Sequence, residues 1–578
     1  MAESAHPLVL RAREAFARSE IKTAELAVEE RLKMAGRDTN ALEMRYLIQK
    51  HRGQLGEAAR TLDTVIGINS RAGWAYNELI QLLITHGKVA DAEQVARAAL
   101  RANPDNAQLH NAFGQIISDV GDLAHGSAGL AAGEWHFRRA LALAESNASF
   151  LTHLANNLTR QGRADEAESH FSRAHELAPG DVKTLTSWAV SCESRGDLGR
   201  MRELIERAAA LCPAGAEEIS LLRANYLARA GHNENALATF DALKTLTGDA
   251  LLARGRLHER LGHHEEAWQD FVAGKRKLAA DAGGLQYKAD AVEALFGRFK
   301  QFFTRGNMER MPRAKTRTDV PQPVFIMGLP RSGTAVVNRI VCGHSNVASG
   351  GELAFLSELR KVAGDVLPAQ QAFPENLAQS WTADRHYAAT VFRDYYLARA
   401  EVCGLLSGDK AFFTDKMPLN EIYLPLVKMA FPQSKIVHVM RHPLDVCVSM
   451  MSNKVTQGFN CGYRVEDAAH LLAAAFDLYQ HYRRELDLGD YVLQYEALVA
   501  DPPGQTRKLF DYLGLPSEEA SLRSPEQRRR APAPRAGQVA TGWLNEAAIS
   551  RHKHYAQHLR PCLSRLRPLM AAHGYEPG

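Results

Sequence analysis

From the N-terminus to about residue 303, helix-like stretches of apolar and polar residues alternate with short turns at nearly constant intervals. Glycines mark those turns at Gly53, Gly87, Gly121, Gly162, Gly196, Gly231 and Gly262, with successive separations of 34, 34, 41, 34, 35 and 31. Five residues after most of them stands a small residue (Ala58, Ala92, Ala167, Ala236, Ala267), and a large apolar one follows, as at Phe171, Phe240 and Phe271. Beyond residue 323 the pattern changes. Short apolar runs at Val324–Met327, Lys435–Met440 and Tyr491–Tyr495 alternate with helical stretches such as Val465–Leu486. A helical array over 1–303, a polar, proline-bearing linker over 304–322 and a parallel α/β domain over 323–578 are the predicted organisation.

A period of about 34 residues, with glycine between two helices, resembles the tetratricopeptide (TPR) repeat. The glycine permits the tight turn, and the alanine lets the second helix approach the first. One such pair is too small to be stable alone, so units stack into a superhelix. The 41-residue interval predicts an insertion near 124–133, and a degenerate unit is expected to begin near Ser19, with Ala24 in the small position. Helix packing explains these residues fully. Whether the groove takes a substrate, a protein partner or a dimer mate stays open at this level.

Composition adds exclusions. With 46% hydrophobic and 24% charged residues the chain is an ordinary globular protein, and a formal charge of +4 over 578 residues gives no general pull toward nucleic acid. Seven scattered cysteines without a CxxC pair fit reduced thiols, and no residue cluster has metal-ligand spacing. No run of about 18 apolar residues occurs, and Met1–Glu20 lacks an apolar leader segment, so a cytoplasmic protein off the membrane is expected.

The candidate chemistry begins where the first strand runs into Gly328-Leu329-Pro330-Arg331-Ser332-Gly333-Thr334, followed by Ala335 and a helix-like stretch. Strand, glycine turn and helix start make an anion site, because free N–H groups and the helix dipole converge. A P-loop would carry lysine before its Ser/Thr. Here Thr334 stands in that place, and Arg331 supplies the cation from inside the loop. A second strand end carries Arg441-His442-Pro443, with Ser449 two helical turns on. A third candidate is Asp415-Lys416-Met417-Pro418-Leu419-Asn420. Two anion loops on one sheet suit a nucleotide with phosphates at both ends.

Together these segments resemble the sulfotransferase family, particularly its tyrosylprotein branch. The resemblance spans about 323–560 and rests on GLPRSGT (328–334), TDKMPLN (414–420), RHPLDVCVS (441–449) and YEALV with Asp501-Pro502 (495–502). It implies a P-loop-like parallel sheet and 3′-phosphoadenosine 5′-phosphosulfate (PAPS) as donor, without a metal. It implies that Gly328, Pro330, Arg331, Ser332, Gly333, Thr334 and Ala335 hold the phosphosulfate, and that Arg441, Ser449, Tyr495 and Arg551 complete the nucleotide site. It also implies Glu352, 21 residues after Arg331, as catalytic base, with Arg331 and Lys416 as stabilising cations. The plainer readings are a helix-start acid for Glu352, a surface ion pair with Asp415 for Lys416, and a structural histidine at His344.

Three departures stand out. Ala335 replaces a second threonine, Arg535 stands where relatives place serine, and Arg551-His552 replaces lysine-tryptophan. The basic run Arg528–Arg530 reads either as a cover for the site or as a solvated loop. The expected function is sulfuryl transfer from PAPS to a hydroxyl, with a peptide tyrosine presented by the repeats as the first acceptor. A carbohydrate or small-molecule acceptor with the repeats serving assembly, an inactive scaffold, and a nucleotide kinase are the alternatives.

Overall fold

A computed structural model describes residues 6–124, 127–213, 215–284, 286–367, 370–382, 385–455, 460–518, 521 and 544–576. The chain forms an all-helical TPR-like superhelix followed by a small parallel sheet. It divides into two compact units, Met1–Thr239 and Phe240–Gly578.

In the first unit, helices pair antiparallel across short turns: Thr39–His51 with Leu55–Ile68, Gly73–Thr85 with Val89–Ala102, Ala148–Arg160 with Ala164–Leu177, and Val182–Arg195 with Leu198–Ala210. The turn glycines earn their places through positive φ, +71° at Gly53 and +74° at Gly196 among them. Ala58, Ala92, Ala167 and Ala236 have no exposed surface. The degenerate first unit follows the same plan with Ser19 at φ +61° and Ala24 fully buried. Gly121 departs from the expectation: it lies inside the helix Ala107–Ala124. The extra residues of the 41-residue interval lengthen two helices, Ala107–Ala124 and Ser127–Leu143, in place of a loop insertion. These two helices cross at Gly114 and Gly133, where a Cβ on Gly133 would stand 2.9 Å from the Gly114 carbonyl oxygen.

The second unit contains a further helical pair of repeat type, Gly248–Arg260 and His264–Asp281, and the helix Ala289–Phe302. Phe271, Phe299 and Phe303 of this segment share one apolar core with Phe325, Met327 and Met440 of the sheet. The 304–322 stretch, polar enough to predict a linker, carries a short helix at Arg305–Arg310. Its Met308, Met311 and Ala314 are buried in that same core. Burial of these three apolar side chains outweighed the polar composition around them.

The sheet consists of β1 (Gln322–Met327), β2 (Val347–Ser349), β3 (Phe412–Lys416), β4 (Lys435–Met440) and β5 (Tyr491–Gln494), all parallel, in the order β2-β3-β1-β4-β5. Its strands alternate between two cores. Phe325, Met327, Ile436 and Met440 face the larger one, and Val324, Ile326, Val437 and Val439 face the smaller. A parallel sheet covered on both faces needs this continuous apolar character. β1 lies between β3 and β4, so the carboxyl ends of the three central strands bring 328–334, 416–420 and 441–449 together. Among the described residues no helix is long and apolar enough to cross a membrane.

Candidate functional site

The loop after β1 is built by conformations only some residues accept. Gly328 has φ +149°, Arg331 +69° and Gly333 +106°. Gly333 caps the helix Thr334–Val341, leaving that helix's first N–H groups at the loop. Both glycines are also required by space. A Cβ on Gly328 would lie 2.3 Å from the Val439 carbonyl oxygen of β4, and one on Gly333 would lie 2.5 Å from the Tyr495 ring. Pro330, Ser332 and Thr334 are buried, and Ala335 is exposed at the second helical position.

Arg331 reaches across the cleft. Its Nε donates to Ser449 Oγ at 3.0 Å, and Arg441 Nη1 donates to the Arg331 carbonyl oxygen at 3.1 Å. The two predicted anion loops therefore meet. Arg331 is exposed as a residue, yet protein packs closely enough around its guanidinium to desolvate it. Burial, then the like charges of Arg441 and Arg551, push it below the ordinary guanidinium value. Arg441 is lowered chiefly by burial as well, opposed by Asp445.

Ser449 lies on the helix Pro443–Ser452, which starts with proline at its first turn and His442 as N-cap. Asp445, fully buried on that helix, accepts from the Ser550 N–H, and from both the His552 N–H and its Nδ1, each at 2.8 Å. Arg441 Nη2 donates to the Ala548 carbonyl oxygen at 2.5 Å. These bonds tie the C-terminal segment to the site. Tyr495 forms a wall behind the loop: its ring backs Gly333, the Arg441 guanidinium lies 5.4 Å from the ring centre, and its hydroxyl donates to the Asn545 carbonyl oxygen at 3.3 Å.

Strand register places Glu352 beside Lys416. Ser349 pairs with Thr414, the Lys416 N–H donates to the Gly351 carbonyl oxygen at 2.8 Å, and the next residue, Glu352, forms an ion pair with Lys416 Nζ. Gly350 is needed here, since a Cβ would lie 2.2 Å from the Thr414 carbonyl oxygen. Glu352 precedes the helix Phe355–Val366 by three residues and is not a first-turn acid of that helix. Asp415 is not the partner of Lys416. It is fully buried on the opposite side of the strand, accepts from Tyr396 Oη at 2.7 Å, and burial pushes its carboxyl up to about 7. Leu419 (φ +63°) donates its N–H to the Gly328 carbonyl oxygen at 3.2 Å, which seats the 416–420 turn against the 328–334 loop. His344 is buried and holds the Pro516 carbonyl oxygen at 2.9 Å, a structural position.

Arg551 is bound within the protein. Nε and Nη2 engage Glu259 at 3.0 and 2.8 Å, and Nη2 also donates to Ser452 Oγ at 3.1 Å. Glu259 was not legible as part of the site, because it acts through a residue 292 positions away and belongs to no motif. Asp445 stands within the 441–449 motif, but its bonds to Ser550 and His552, about a hundred positions on, were not legible. The runs Arg528–Arg530 and Arg535–Val539 lie outside the described residues.

Residues 323–519 match the sulfotransferase family, and residues 51–116 match a tetratricopeptide repeat. An uncharacterized protein of Aquifex aeolicus (strain VF5) is 26% identical over 251 residues, 43% of this chain and 32% of its own length. A putative protein-tyrosine sulfotransferase of Caenorhabditis briggsae is 24% identical over 212 residues, 36% of this chain and 70% of that protein. The omega-hydroxy-beta-dihydromenaquinone-9 sulfotransferase of Mycobacterium tuberculosis (strain CDC 1551 / Oshkosh) is 28% identical over 120 residues, 18% of this chain and 30% of that enzyme. The chain thus spans about a third of the length of the Aquifex relative. A tetratricopeptide repeat protein from Parabacteroides merdae aligns over 41% of this chain and 93% of its own at 15% identity, with a TM-score of 0.35. The chain thus carries a sulfotransferase-family domain over 323–519 together with TPR repeats.

Proposed function

We propose that the protein transfers a sulfuryl group from PAPS to an acceptor hydroxyl, and that a peptide tyrosine is the acceptor to test first. The observation that carries the donor assignment is the meeting of the two anion loops, Arg331 Nε on Ser449 Oγ and Arg441 Nη1 on the Arg331 carbonyl oxygen. The residues fit a doubly anionic nucleotide on independent grounds. Ser332 Oγ and Arg441 Nε are buried and have no hydrogen-bond partner among the described residues, and buried polar groups call for one. Glycines 328 and 333 keep the loop backbone open to close approach.

In this reading the 328–335 loop and Arg331 hold the phosphosulfate, while Arg441 and Ser449 hold the 3′-phosphate. When bound, the nucleotide supplies an activated sulfuryl group. Glu352 accepts the proton of the acceptor hydroxyl at a carboxylate oxygen. Lys416, the ion-pair partner of Glu352, and Arg331 face the charge that grows on the transferring group and its leaving oxygen. Tyr495 backs the loop and keeps it from collapsing. The peptide reading draws on the repeats and on the Caenorhabditis relative, and the mycobacterial relative keeps a lipid-like hydroxyl as the second candidate.

Calorimetric titration with adenosine 3′,5′-bisphosphate, ATP and 5′-AMP tests the donor site. Preferred binding of the bisphosphate is expected, weakened about tenfold or more in Arg441→Ala, the loss that follows from one charge-assisted phosphate contact. A preference for ATP overturns the assignment. The role of the repeats is tested by removing residues 1–239, the first compact unit. A cut at 303 would also strip the 248–281 helices from the core they share with the sheet. Removal of 1–239 is expected to raise KM for a long peptide more than for a short phenol, and equal changes sink the presentation idea.

A further inference from the structure

The guanidinium groups of Arg331, Arg441 and Arg551 stand near one another: burial and then the like charges of Arg441 and Arg551 lower the proton affinity of Arg331, and Arg441 is lowered by burial with a smaller part from Arg551. Such a cluster repels itself and needs counter-charges that also set geometry. Arg441 has Asp445 and Glu496 among its neighbours. Arg551 has Glu259, which lies on the helix Gly248–Arg260, within the repeat-like pair. The contact is bidentate through Nε and Nη2, and Tyr555 Oη fixes the same carboxylate oxygen at 3.0 Å. Ser452 Oγ takes the second Nη2 proton at 3.1 Å, and Nη1 has no hydrogen-bond partner among the described residues.

The same helical pair grips the end of the Ser449 helix at further points. Arg256 Nη1 donates to the Ser452 carbonyl oxygen at 2.8 Å, and Lys275 Nζ, on a side chain with no exposed surface, donates to the Asn453 carbonyl oxygen at 2.7 Å. Cations on the final carbonyl groups are favourable ends for a helix dipole. A surface decoration would not bury a lysine for this purpose. Burial pushes that amine down to about 7, so its placement costs free energy that the rest of the contact surface offsets.

We propose that Glu259 is a positioning residue of the donor site: it holds one edge of the Arg551 guanidinium against Ser452 and leaves Nη1 for a phosphate of the bound nucleotide. The last helical pair is then part of the transferase site and not part of the acceptor-presenting array. This inference rests on the donor reading above. An arginine fork fixed on one edge loses little further freedom when its other edge takes an anion.

The test is a double-mutant cycle on the full chain, read as the Kd of adenosine 3′,5′-bisphosphate for wild type, Glu259→Gln, Arg551→Ala and the double variant. Glu259→Gln is expected to weaken binding by about fivefold or more in the wild-type background and by less than about twofold once Arg551 is absent. A purely structural role would give the same loss in both backgrounds, and that result overturns the proposal. Tighter binding by Glu259→Gln also overturns it, because Glu259 would then be a competitor for Arg551. Should Glu259→Gln fail to fold, Arg551→Lys carries the prediction, since lysine keeps the charge but cannot span both carboxylate oxygens; unchanged affinity in that variant overturns it equally. Absence of binding by the wild type removes the donor reading itself, and this outcome is distinct from a wild type that binds but shows no coupling.

Discussion

Gly328→Ala tests whether the 328–334 loop is held as described. Two costs add at this position. The backbone sits at φ +149°, which a side chain rarely tolerates, at about 1–3 kcal/mol. The new methyl group would also lie 2.3 Å from the Val439 carbonyl oxygen and 2.9 Å from Ser332 Oγ. The serine can rotate away, but Val439 cannot, because β4 is paired with β1 on one side and with β5 on the other, Val439 opposite Leu493. Overpacking of this kind costs about 1–3 kcal/mol more. The total, about 2–6 kcal/mol, is a large share of an ordinary domain's stability. Gly514→Ala is the control. Its φ of +75° carries the conformational cost, but no atom lies within 4 Å of the added methyl, so about 1 kcal/mol is expected. Calorimetric unfolding of the full chain, following the transition that adenosine 3′,5′-bisphosphate raises, separates the second unit from the first. At about 2 °C per kcal/mol for a unit of this size, Gly328→Ala should lower that transition by roughly 4–12 °C and weaken the bisphosphate by about tenfold or more. A drop no larger than that of Gly514→Ala, with affinity intact, would refute the collision with β4 and the loop geometry built on it.

Two further outcomes follow from the site. Glu352→Gln should lower kcat about a hundredfold or more, the usual worth of a positioned base, while the Kd of the bisphosphate stays within about twofold; this is read with labelled donor and a phenolic acceptor, and full activity removes Glu352 as the base. Asp415 holds its proton in the folded protein up to about pH 7 but releases it near 3.8 when unfolded. Its contribution is therefore present below about pH 4 and lost as pH rises through 7, so the stability of wild type relative to Asp415→Asn should fall between pH 5 and pH 8 by a few kcal/mol at most. Urea unfolding at the two pH values checks this, and a difference independent of pH refutes the buried neutral carboxyl.

Local rules carried the sequence reading a long way. The repeat period placed the turns, and it found even Ser19, since an αL turn between two helices has a recognisable spacing whatever residue fills it. The shape of the 328–334 loop was legible because two glycines, a strand and a helix start are adjacent in the chain and their geometry is local. Gly121 misled for the same reason: period alone cannot tell a turn glycine from one inside a lengthened helix, where the deciding fact is the close crossing of Gly114 and Gly133. The three-residue strand β2 was missed, as it is too short to show alternation and exists only because β3 lies beside it.

What the sequence determined by itself was the division into helical repeats and a parallel sheet, and the side chains that motifs deliver to the strand ends. Only the tertiary structure decided how those side chains are paired. Register across β2 and β3 put Glu352 on Lys416, while strand alternation sent Asp415 into the core and onto Tyr396. Burial turned Met308 and Met311 from parts of a polar connection into parts of the core, and it carried Glu259 to Arg551 across 292 positions of chain. The physical reason is common to all of these. Backbone conformation is set mainly by neighbours a few residues away, whereas a charge or an apolar surface is satisfied by whatever the fold brings within a few ångströms, at any distance along the sequence.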